Sequence, residues 1–220
     1  MGDGSHHRLV FLGPPASGKG TAAQVLSARL NVPHVSTGQM FREAVRKGGP
    51  LSEATRQFID KGQLVPDEIT VQIVRLWLDE HGRERGFIFD GFPRTLPQAV
   101  ALDRLLVERE LPLTLVILME LSATEIVDRM LGRISCEKCG KLYHLTNMPP
   151  RQTGVCDVCG SPLMKRVDDT EETLRERLVV YDRVTLPLVQ YYEQTGLLRR
   201  VNASRLHKRN FADVLELAGA

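Results

Sequence analysis

The sequence lacks the long apolar runs and leader-like segments that mark membrane and secreted proteins. Its most apolar stretch, Leu113–Leu121, contains Thr114 and Glu120 and is far too short to span a bilayer, so it indicates a buried strand. The opening residues, MGDGSHHRLVFLG, lack the apolar core of a signal peptide and the Arg/Ser-rich amphipathic character of a transit peptide. We therefore expect a cytoplasmic protein.

The chain also lacks a strong excess of charge of either sign. Its net charge of +2 comes from 29 basic and 27 acidic residues, which argues against nucleic-acid or membrane binding over the whole surface. Internal repeats and low-complexity tracts are absent from the sequence. A chain of 220 residues can bury one sizeable core, with room for small inserted lobes. Any strong positive field must therefore be local.

Short apolar segments alternate with helical patterns along most of the chain. The pattern predicts five strands, at residues 8–12, 33–36, 87–90, 113–119 and 197–202. Such alternation is typical of an α/β fold in which helices cover both faces of a parallel sheet. Residues 36–65 and 132–169 break the alternation and are predicted to be insertions, the first of them short helices broken by KGGP.

Several helix boundaries are visible in the sequence. Ser122–Glu125 and Asp169–Glu172 each have the capping-box pattern of a side-chain oxygen followed three residues later by an acidic residue. Gly196 is predicted to end the last long helix, and Pro187 to kink it.

A phosphate-binding loop is predicted at Gly13–Thr21, GPPASGKGT. The segment has the glycines, lysine and nearby threonine of a P-loop, and it stands between a predicted strand and a predicted helix, as the motif requires. Backbone N–H groups of such a loop converge on phosphate oxygens, and Lys19 adds a positive charge. Gly20 follows the lysine, so the hydroxyl residue comes one position later than in the general motif. The alternative is a solvated Gly/Pro turn.

Further charged residues stand at predicted element boundaries. Asp90 and Arg94, in DGFPR, follow a strand and should lie at the carboxyl edge of the sheet, where α/β sheets bind ligands. Arg129 and Arg133 have helical spacing and are predicted to project from one face, while Arg166 and Arg177 stand beyond the cysteine region. Each arginine alone is explained as well by a solvated surface position. Together they suit phosphoryl transfer, which depends on positioning and charge stabilisation.

No side chain stands out as a general base. A phosphomonoester acceptor has a second pKa of about 6 and can attack without losing a proton to the protein. For Asp90, we therefore favour the organisation of Mg²⁺ waters over a role as a base.

All four cysteines lie between Cys136 and Cys159, in the spacing C-x2-C-x16-C-x2-C. This spacing is typical of a tetrathiolate zinc site built from Cys136, Cys139, Cys156 and Cys159. Two disulfides are the alternative, disfavoured in a cytosolic chain. Four thiolates leave no open position for catalysis, so the zinc is predicted to be structural, replacing a core that this short region cannot build.

Five motifs make the chain resemble the adenylate kinase family. They are GPPASGKGT, STGQMFR (36–42), DGFPRTLPQA (90–99), IVDRMLGR (126–133) and KRVDDTEETLRERL (165–178). The resemblance covers residues 8 to about 202 and implies the reaction of MgATP with AMP to give two ADP, in a monomer. It implies a P-loop nucleoside monophosphate kinase fold with a core of residues 1–35, 66–131 and 170–220, an AMP-binding lobe at 36–65 and a zinc-binding lid at 132–169.

The resemblance also implies roles for individual residues. Catalytic roles fall on Lys19, Asp90, Arg94, Arg129, Arg133, Arg166 and Arg177. ATP contacts fall on Ala16, Ser17, Gly18, Lys19, Gly20, Thr21, Arg133, Leu142, Tyr143 and Ala203. AMP contacts fall on Thr37, Arg42, Gln63, Leu64, Val65, Gly91, Phe92, Pro93, Arg94, Gln98, Arg166 and Arg177, with Gln98 reading the adenine edge. Asp168 and Asp169 resemble lid carboxylates that pair with arginines on closure.

Three positions depart from the family pattern or align loosely. Ala16 stands where the family usually has glycine, and we expect the loop to avoid a positive φ there. Gln39 replaces a common aspartate, and the late ATP contact at Ala203 rests on a loose alignment.

Three other functions compete with this one. A kinase for UMP, CMP or GMP is the nearest alternative, although Thr37 and Gln98 favour AMP. A P-loop protein with a nucleic-acid-binding zinc ribbon is a second, but the ribbon lacks a dense basic and aromatic stripe. A structural zinc protein that holds nucleotide without turnover is the third.

Overall fold

The computed structural model describes residues 7–48, 50–81, 86–166, 169–205 and 211–220. The strands are β1 (His7–Leu12), β2 (His34–Ser36), β3 (Gly86–Asp90), β4 (Leu115–Glu120), β5 (Arg133–Cys136), β6 (Leu142–His144), β7 (Leu163–Met164) and β8 (Leu198–Asn202). The helices are α1 (Lys19–Leu30), α2 (Thr37–Lys47), α3 (Pro50–Asp60), α4 (Asp67–His81), α5 (Leu96–Val107), α6 (Ala123–Leu131), α7 (Glu171–Val180), α8 (Pro187–Gln194) and α9 (Ala212–Leu217).

The predicted parallel sheet is confirmed. Across the described ranges its five strands have the order β2-β3-β1-β4-β8, and every neighbouring pair is parallel. β1 is central, with Val10 paired to Phe89 on one side and to Val116 on the other. The chain moves from β1 outward to β2, returns to β3 beside β1, and then crosses to β4 on the opposite side. The carboxyl end of β1 is therefore a point where the strand order reverses, which is where such sheets bind ligands.

Helices cover both faces of this sheet, as predicted. Alternate residues of β1 enter opposite cores because successive side chains of a strand point to opposite faces. Val10 and Leu12 join the core formed with α4, α5 and α8. Leu9 and Phe11 join the core formed with α1 and α9. None of the helices within the described ranges is long and apolar enough to cross a bilayer.

The two predicted insertions contain their own elements. Residues 36–65 hold α2 and α3; α2 ends at the lysine of the KGGP segment and α3 begins at its proline. Residues 132–169 hold β5, β6 and β7, which form an antiparallel sheet in the order β6-β5-β7. We refer below to residues 36–65 as the AMP lobe and to residues 132–169 as the lid, which are the boundaries and names that the family resemblance implies.

Two predictions of helix geometry were wrong. α6 ends at Leu131, so Arg133 lies on β5 rather than one turn along the helix from Arg129. The capping residue of α7 is Thr170, whose hydroxyl accepts from the backbone N–H of Thr173, instead of Asp169. Asp169 does not cap the helix because its carboxylate is bonded to Arg133. The other predicted cap, Ser122, does accept from the backbone N–H of Glu125.

The helical region before Gly196 changes its hydrogen bonding just before Pro187, the residue that was predicted to kink it. Residues Tyr181–Thr185 form a π-helical segment, in which the N–H of Leu186 donates to the carbonyl of Tyr181 at 2.8 Å. α8 then begins at Pro187, where the missing proline N–H costs no helical bond. π-helical insertions are frequent at functional sites.

The expectation for the phosphate loop at Ala16 was also wrong. Ala16 adopts φ 58°, in the left-handed region that the loop was expected to avoid. Gly18 is left-handed as well, at φ 93°. The loop therefore keeps its conformation and bears the steric cost of a Cβ at position 16, on the order of 1–2 kcal/mol.

Ala16→Gly is expected to raise the free energy of unfolding by about 0.5–1 kcal/mol. Removing the Cβ relieves the left-handed strain, while the greater freedom of glycine in the unfolded chain cancels part of the gain. Urea unfolding measures the change. Ala28→Gly, at an exposed position inside α1, is the matched control and should lower stability by about 1 kcal/mol. A comparable loss in both variants would contradict strain at Ala16.

Candidate active site

A cavity of about 380 Å³ lies at the carboxyl edge of the sheet, between the phosphate loop, the AMP lobe and the lid. This volume is within the range of small-molecule sites. The predicted site residues that line it are Ala16, Gly18, Lys19, Gly20, Thr21, Thr37, Arg42, Gln63, Leu64, Val65, Asp90, Gly91, Pro93, Arg94, Gln98, Arg129, Arg133, Leu142, Tyr143, Arg166 and Arg177. Among the residues predicted to contact nucleotide or to act in catalysis, three lie outside the lining: Ser17, Phe92 and Ala203.

These three residues support the site from behind. Ser17 is fully buried in the phosphate loop. Phe92 is fully buried in the core and packs edge-on against Phe89. Ala203 is buried too, and its carbonyl accepts from the guanidinium of Arg129 at 2.8 Å. Their side chains therefore contact protein, and any nucleotide contact from them would go through the backbone.

The phosphate loop leads from β1 into the N-terminus of α1. Lys19 is the first residue of that helix, and its Nζ donates to the carbonyls of Gly13 at 2.7 Å and Pro14 at 2.6 Å. Burial lowers the pKa of Lys19 from its ordinary value of 10.5 to about 8; Arg94 and Arg133 add to the shift, and Asp90 opposes it. A lysine with a lowered pKa at a helix N-terminus forms a site that favours an anion.

Gly20 leaves space at the start of α1 for two groups from distant segments. A Cβ at this position would lie 3.0 Å from Leu142 Cδ1, on the lid, and 3.1 Å from Asp90 Oδ2. Both distances are tighter than ordinary van der Waals contact. The general motif has a hydroxyl residue at this position. Glycine there allows the lid and the Asp90 carboxylate to lie close to the start of α1.

Asp90 ends β3 and carries an ionised carboxylate into the cavity. His34 Nε2 lies 3.4 Å from Asp90 Oδ2. Burial by itself favours the neutral acid, but His34, Lys19 and Arg94 outweigh it and lower the pKa of Asp90 to about 2. An ionised, buried carboxylate beside a phosphate loop is the type of oxygen ligand that Mg²⁺ uses, directly or through water.

Arginines from four distant segments meet in the cavity, and Arg94 is the one on which both burial and repulsion act. Arg94 Nε donates to the carbonyl of Gly91 at 2.8 Å. Burial first, and then the charges of Arg177 and Arg42, lower the pKa of Arg94 to about 10. Like charges held this close repel one another, so a polyanion placed among them relieves the repulsion.

The lid arginine is held by an ion pair. Arg133 Nε donates to Asp169 Oδ2 at 2.7 Å, and Arg133 Nη2 bonds the second carboxylate oxygen, Asp169 Oδ1. Arg177 Nη1 lies 3.7 Å from the same carboxylate. Asp169 therefore pairs with arginines as expected, whereas Asp168 lies outside the described residues.

The four cysteines form one cluster in the lid. Their sulfur atoms all lie within 4.8 Å of one another, with 3.4 Å between Cys136 and Cys159 and 3.5 Å between Cys139 and Cys156. All four are free thiols, and these separations are much longer than a disulfide bond of about 2.05 Å. A tetrahedral ion with metal–sulfur bonds of about 2.3 Å needs edges of roughly 3.8 Å, so the cluster fits a metal ion.

Two similar turns present these thiols. In the first turn Gly140 N–H donates to Cys136 O, and in the second Gly160 N–H donates to Cys156 O, each at 2.9 Å. Both glycines are left-handed, at φ 72° and φ 71°. Tyr143 packs against the cluster, and its hydroxyl accepts from Asp157 N–H at 2.8 Å. Its ring therefore belongs largely to the core of the lid, although the residue also borders the cavity.

The lid lies over the phosphate loop and contacts both other parts of the chain. Gln24 Nε2, on α1, donates to the carbonyl of Gly140 at 3.0 Å. Gln39, on α2, packs against the same glycine so closely that a Cβ there would lie 2.7 Å from the glutamine amide. The glutamine that replaces the family's common aspartate thus contacts the first cysteine turn.

Several residues of the cavity were missed by sequence reasoning. Gln24, His34, Phe211, Asn147 and Met148 line the cavity without belonging to a predicted motif. No local signal identifies them, because each enters the site through packing between segments that are distant in sequence.

Comparisons with known proteins agree with the geometry. The family described as adenylate kinase matches residues 11–197. An adenylate kinase of Moorella thermoacetica is 47% identical over 90% of this chain and 91% of its own. Adenylate kinases of Syntrophomonas wolfei and a Geobacillus strain are 44% and 43% identical, covering 94% and 96% of this chain and 97% and 98% of their own. The family match covers most of this chain, and the three relatives cover nearly all of it. The chain therefore belongs to the adenylate kinase family.

Proposed function

We propose that this protein transfers the terminal phosphoryl group of MgATP to AMP, reversibly, to give two ADP. The observation that carries the proposal is the meeting of Lys19 and the arginines of four segments in one cavity beside a phosphate loop. Phosphoryl transfer requires positioning and charge stabilisation more than covalent chemistry from the protein. The substrates follow from the family and from relatives that are named adenylate kinases.

Each part of the cavity has a distinct task in this reaction. The loop N–H groups and Lys19 bind the phosphates of ATP, with Arg129 and Arg133 beside them. Thr37, Arg42 and Gln98 also line the cavity, and AMP would bind beside them. Arg94, Arg166 and Arg177 then stabilise the charge that is shared between donor and acceptor. The acceptor phosphate attacks without a general base, because its own oxygens are ionised near neutral pH.

The ionised carboxylate of Asp90 would hold the water ligands of Mg²⁺. When bound, the ion neutralises charge on the transferring phosphate groups. The lid covers the cavity and excludes water, which discourages hydrolysis of ATP. We also propose that the protein is a monomer in the cytoplasm. The free thiols suit a reducing compartment, and the family resemblance favours a monomer.

For the cysteine cluster we propose one structural zinc ion per chain, held by Cys136, Cys139, Cys156 and Cys159. The tetrahedral fit of four thiols, with no open position, supports a structural ion over a catalytic one. The buried cluster in the lid consists of Cys136, Tyr143 and Cys156, with Ile134, Cys159 and Leu163 partly buried against it. The ion would therefore supply much of the folding free energy of this lobe.

The first test is coupled-assay turnover of ATP with AMP, UMP, CMP and GMP. ADP formation with AMP alone supports the proposal. A preference for another monophosphate would place the chain's activity with a different nucleoside monophosphate kinase.

Lys19→Met should lower turnover by about 10³-fold or more, because it removes a cation from the transferring phosphates. Lys138→Met, at an exposed lid position, is the control and should keep the wild-type rate. Equal rates in the two variants would reject the phosphate-loop assignment.

The pH profile of kcat/KM for ATP should fall above about pH 8. The free enzyme's Lys19 has a pKa of about 8, so it loses its proton and its attraction for phosphate as the pH rises through that value. The expected slope is about tenfold per pH unit. On the acid side, kcat/KM for AMP should fall below about pH 6, as the acceptor phosphate gains a proton. A profile for ATP that stays flat to pH 10 would contradict the role of Lys19.

Cys156→Ser should lower both zinc content and melting temperature. Zinc-peptide binding energies of about 10–16 kcal/mol show that loss of one ligand removes a large part of the lobe's stability. Metal analysis of the purified protein and thermal unfolding measure the two effects. Val158→Ser is the matched control, since this residue lies in the same turn but its side chain is exposed. Unchanged stability in Cys156→Ser would argue against a structural ion.

A further inference from the structure

Asp67, the first residue of α4, contacts the proposed base-reading residue from behind. Its Oδ1 accepts from Gln98 Nε2 at 2.7 Å, and its Oδ2 accepts from Thr95 Oγ1 at 2.8 Å. Gln98 lines the cavity, whereas Asp67 does not. The aspartate therefore acts on the site only through its neighbours.

The other end of the Gln98 amide is bonded to the backbone. Gln98 Oε1 accepts from the N–H of Arg94 at 2.8 Å. A carboxylate can only accept a hydrogen bond and a backbone N–H can only donate one. Rotating the amide by half a turn would place Gln98 Oε1 against the Asp67 carboxylate. It would also place Gln98 Nε2 against the N–H of Arg94. Since Gln98 is only 2% exposed, water cannot compensate for these mismatches, and one amide orientation is fixed.

Both partners of the amide are themselves held in place. Thr95 caps α5: its hydroxyl accepts from the backbone N–H of Gln98 at 3.2 Å while it donates to Asp67. The carbonyl of Arg94 accepts from Thr185 Oγ1 at 2.9 Å, from the end of the π-helical segment. Thr95 therefore holds the carboxylate, and Thr185 anchors Arg94 through the peptide that follows its N–H, so both partners of the amide are restrained.

The fixed amide keeps one N–H and one oxygen lone pair for a ligand. Adenine offers a donor at N6 next to a ring-nitrogen acceptor, and a glutamine amide can bind both. Guanine has the acceptor O6 where adenine has the N6 donor. Guanine would therefore meet the amide oxygen with another oxygen unless the amide could turn.

We propose that Asp67 is a specificity-determining positioning residue, which fixes the Gln98 amide in the orientation that accepts an adenine base and rejects guanine. The inference rests on the proposed function, because it takes AMP to be the acceptor and Gln98 to face its base.

The test is Asp67→Ala, assayed for kcat and KM with AMP and with GMP at saturating ATP. Without the carboxylate, Gln98 Nε2 loses its partner and the amide can turn. We expect kcat/KM for AMP to fall about tenfold, mainly through KM, and the GMP-to-AMP ratio of kcat/KM to rise about tenfold. The KM for ATP should stay within twofold of wild type, because Asp67 lies outside the cavity.

Asp67→Asn is the conservative control. Its amide oxygen can still accept from Gln98 Nε2, and its N–H can donate to the Thr95 hydroxyl, so the orientation of Gln98 is kept. The GMP-to-AMP ratio should then remain within about threefold of wild type. If Asp67→Ala does not fold, Asp67→Ser replaces it: serine suits a helix start but draws its oxygen back from Gln98, and the same rise in the ratio is expected.

The outcomes separate the two proposals. A loss in Asp67→Ala or Asp67→Ser that is equal for AMP and GMP leaves the ratio unchanged, and it would overturn the specificity role while the proposed function stands. A ratio that rises as much in Asp67→Asn as in Asp67→Ala would also overturn it, because the amide orientation would then not be the cause. A wild-type protein that does not phosphorylate AMP would overturn the proposed function and this inference with it.

Discussion

Positive charge held out of water is the constraint on which the site depends. Lys19 and Arg94 are enclosed at the carboxyl edge of the sheet, and burial lowers the pKa of both side chains. Asp90 and Asp169 offset part of this charge, yet each is already engaged, with His34 and with Arg133. A bound polyanion would add further negative charge beside these cations. The loop, the two insertions and the strand ends all serve to assemble and enclose the positive charge.

The lid must keep its shape although it is a small lobe. A small lobe must place Arg133 and Leu142 over the phosphate loop without an apolar core large enough to hold its shape. In the proposed zinc site, the cysteine cluster would replace that core. Its two turns are similar, and the first contacts Gln24 and Gln39 through Gly140. The cysteines thus take no direct part in phosphoryl transfer. The transfer nevertheless needs the lid shape that they would maintain.

Most of the fold could be predicted because its signals are local. Apolar runs identified every strand of the central sheet, and the loop motif stood directly between β1 and α1. The errors came where distant groups competed for a residue. Asp169 has a capping pattern, but its pairing with Arg133 leaves the cap to Thr170. Ala16 should avoid a left-handed φ on its own, but the loop, closed between strand and helix, imposes one.

The sequence by itself determined the family, the phosphate loop and the spacing of the four thiols, because each depends on residues close together in the chain. Only the tertiary structure decided which atoms face the ligand. Asp67 and Gln98 are 31 positions apart, and no local pattern connects them. Tyr143 turned toward the lid core and Ala203 toward Arg129 for the same reason. The direction of a buried hydrogen bond depends on its partner, and that partner is supplied by folding.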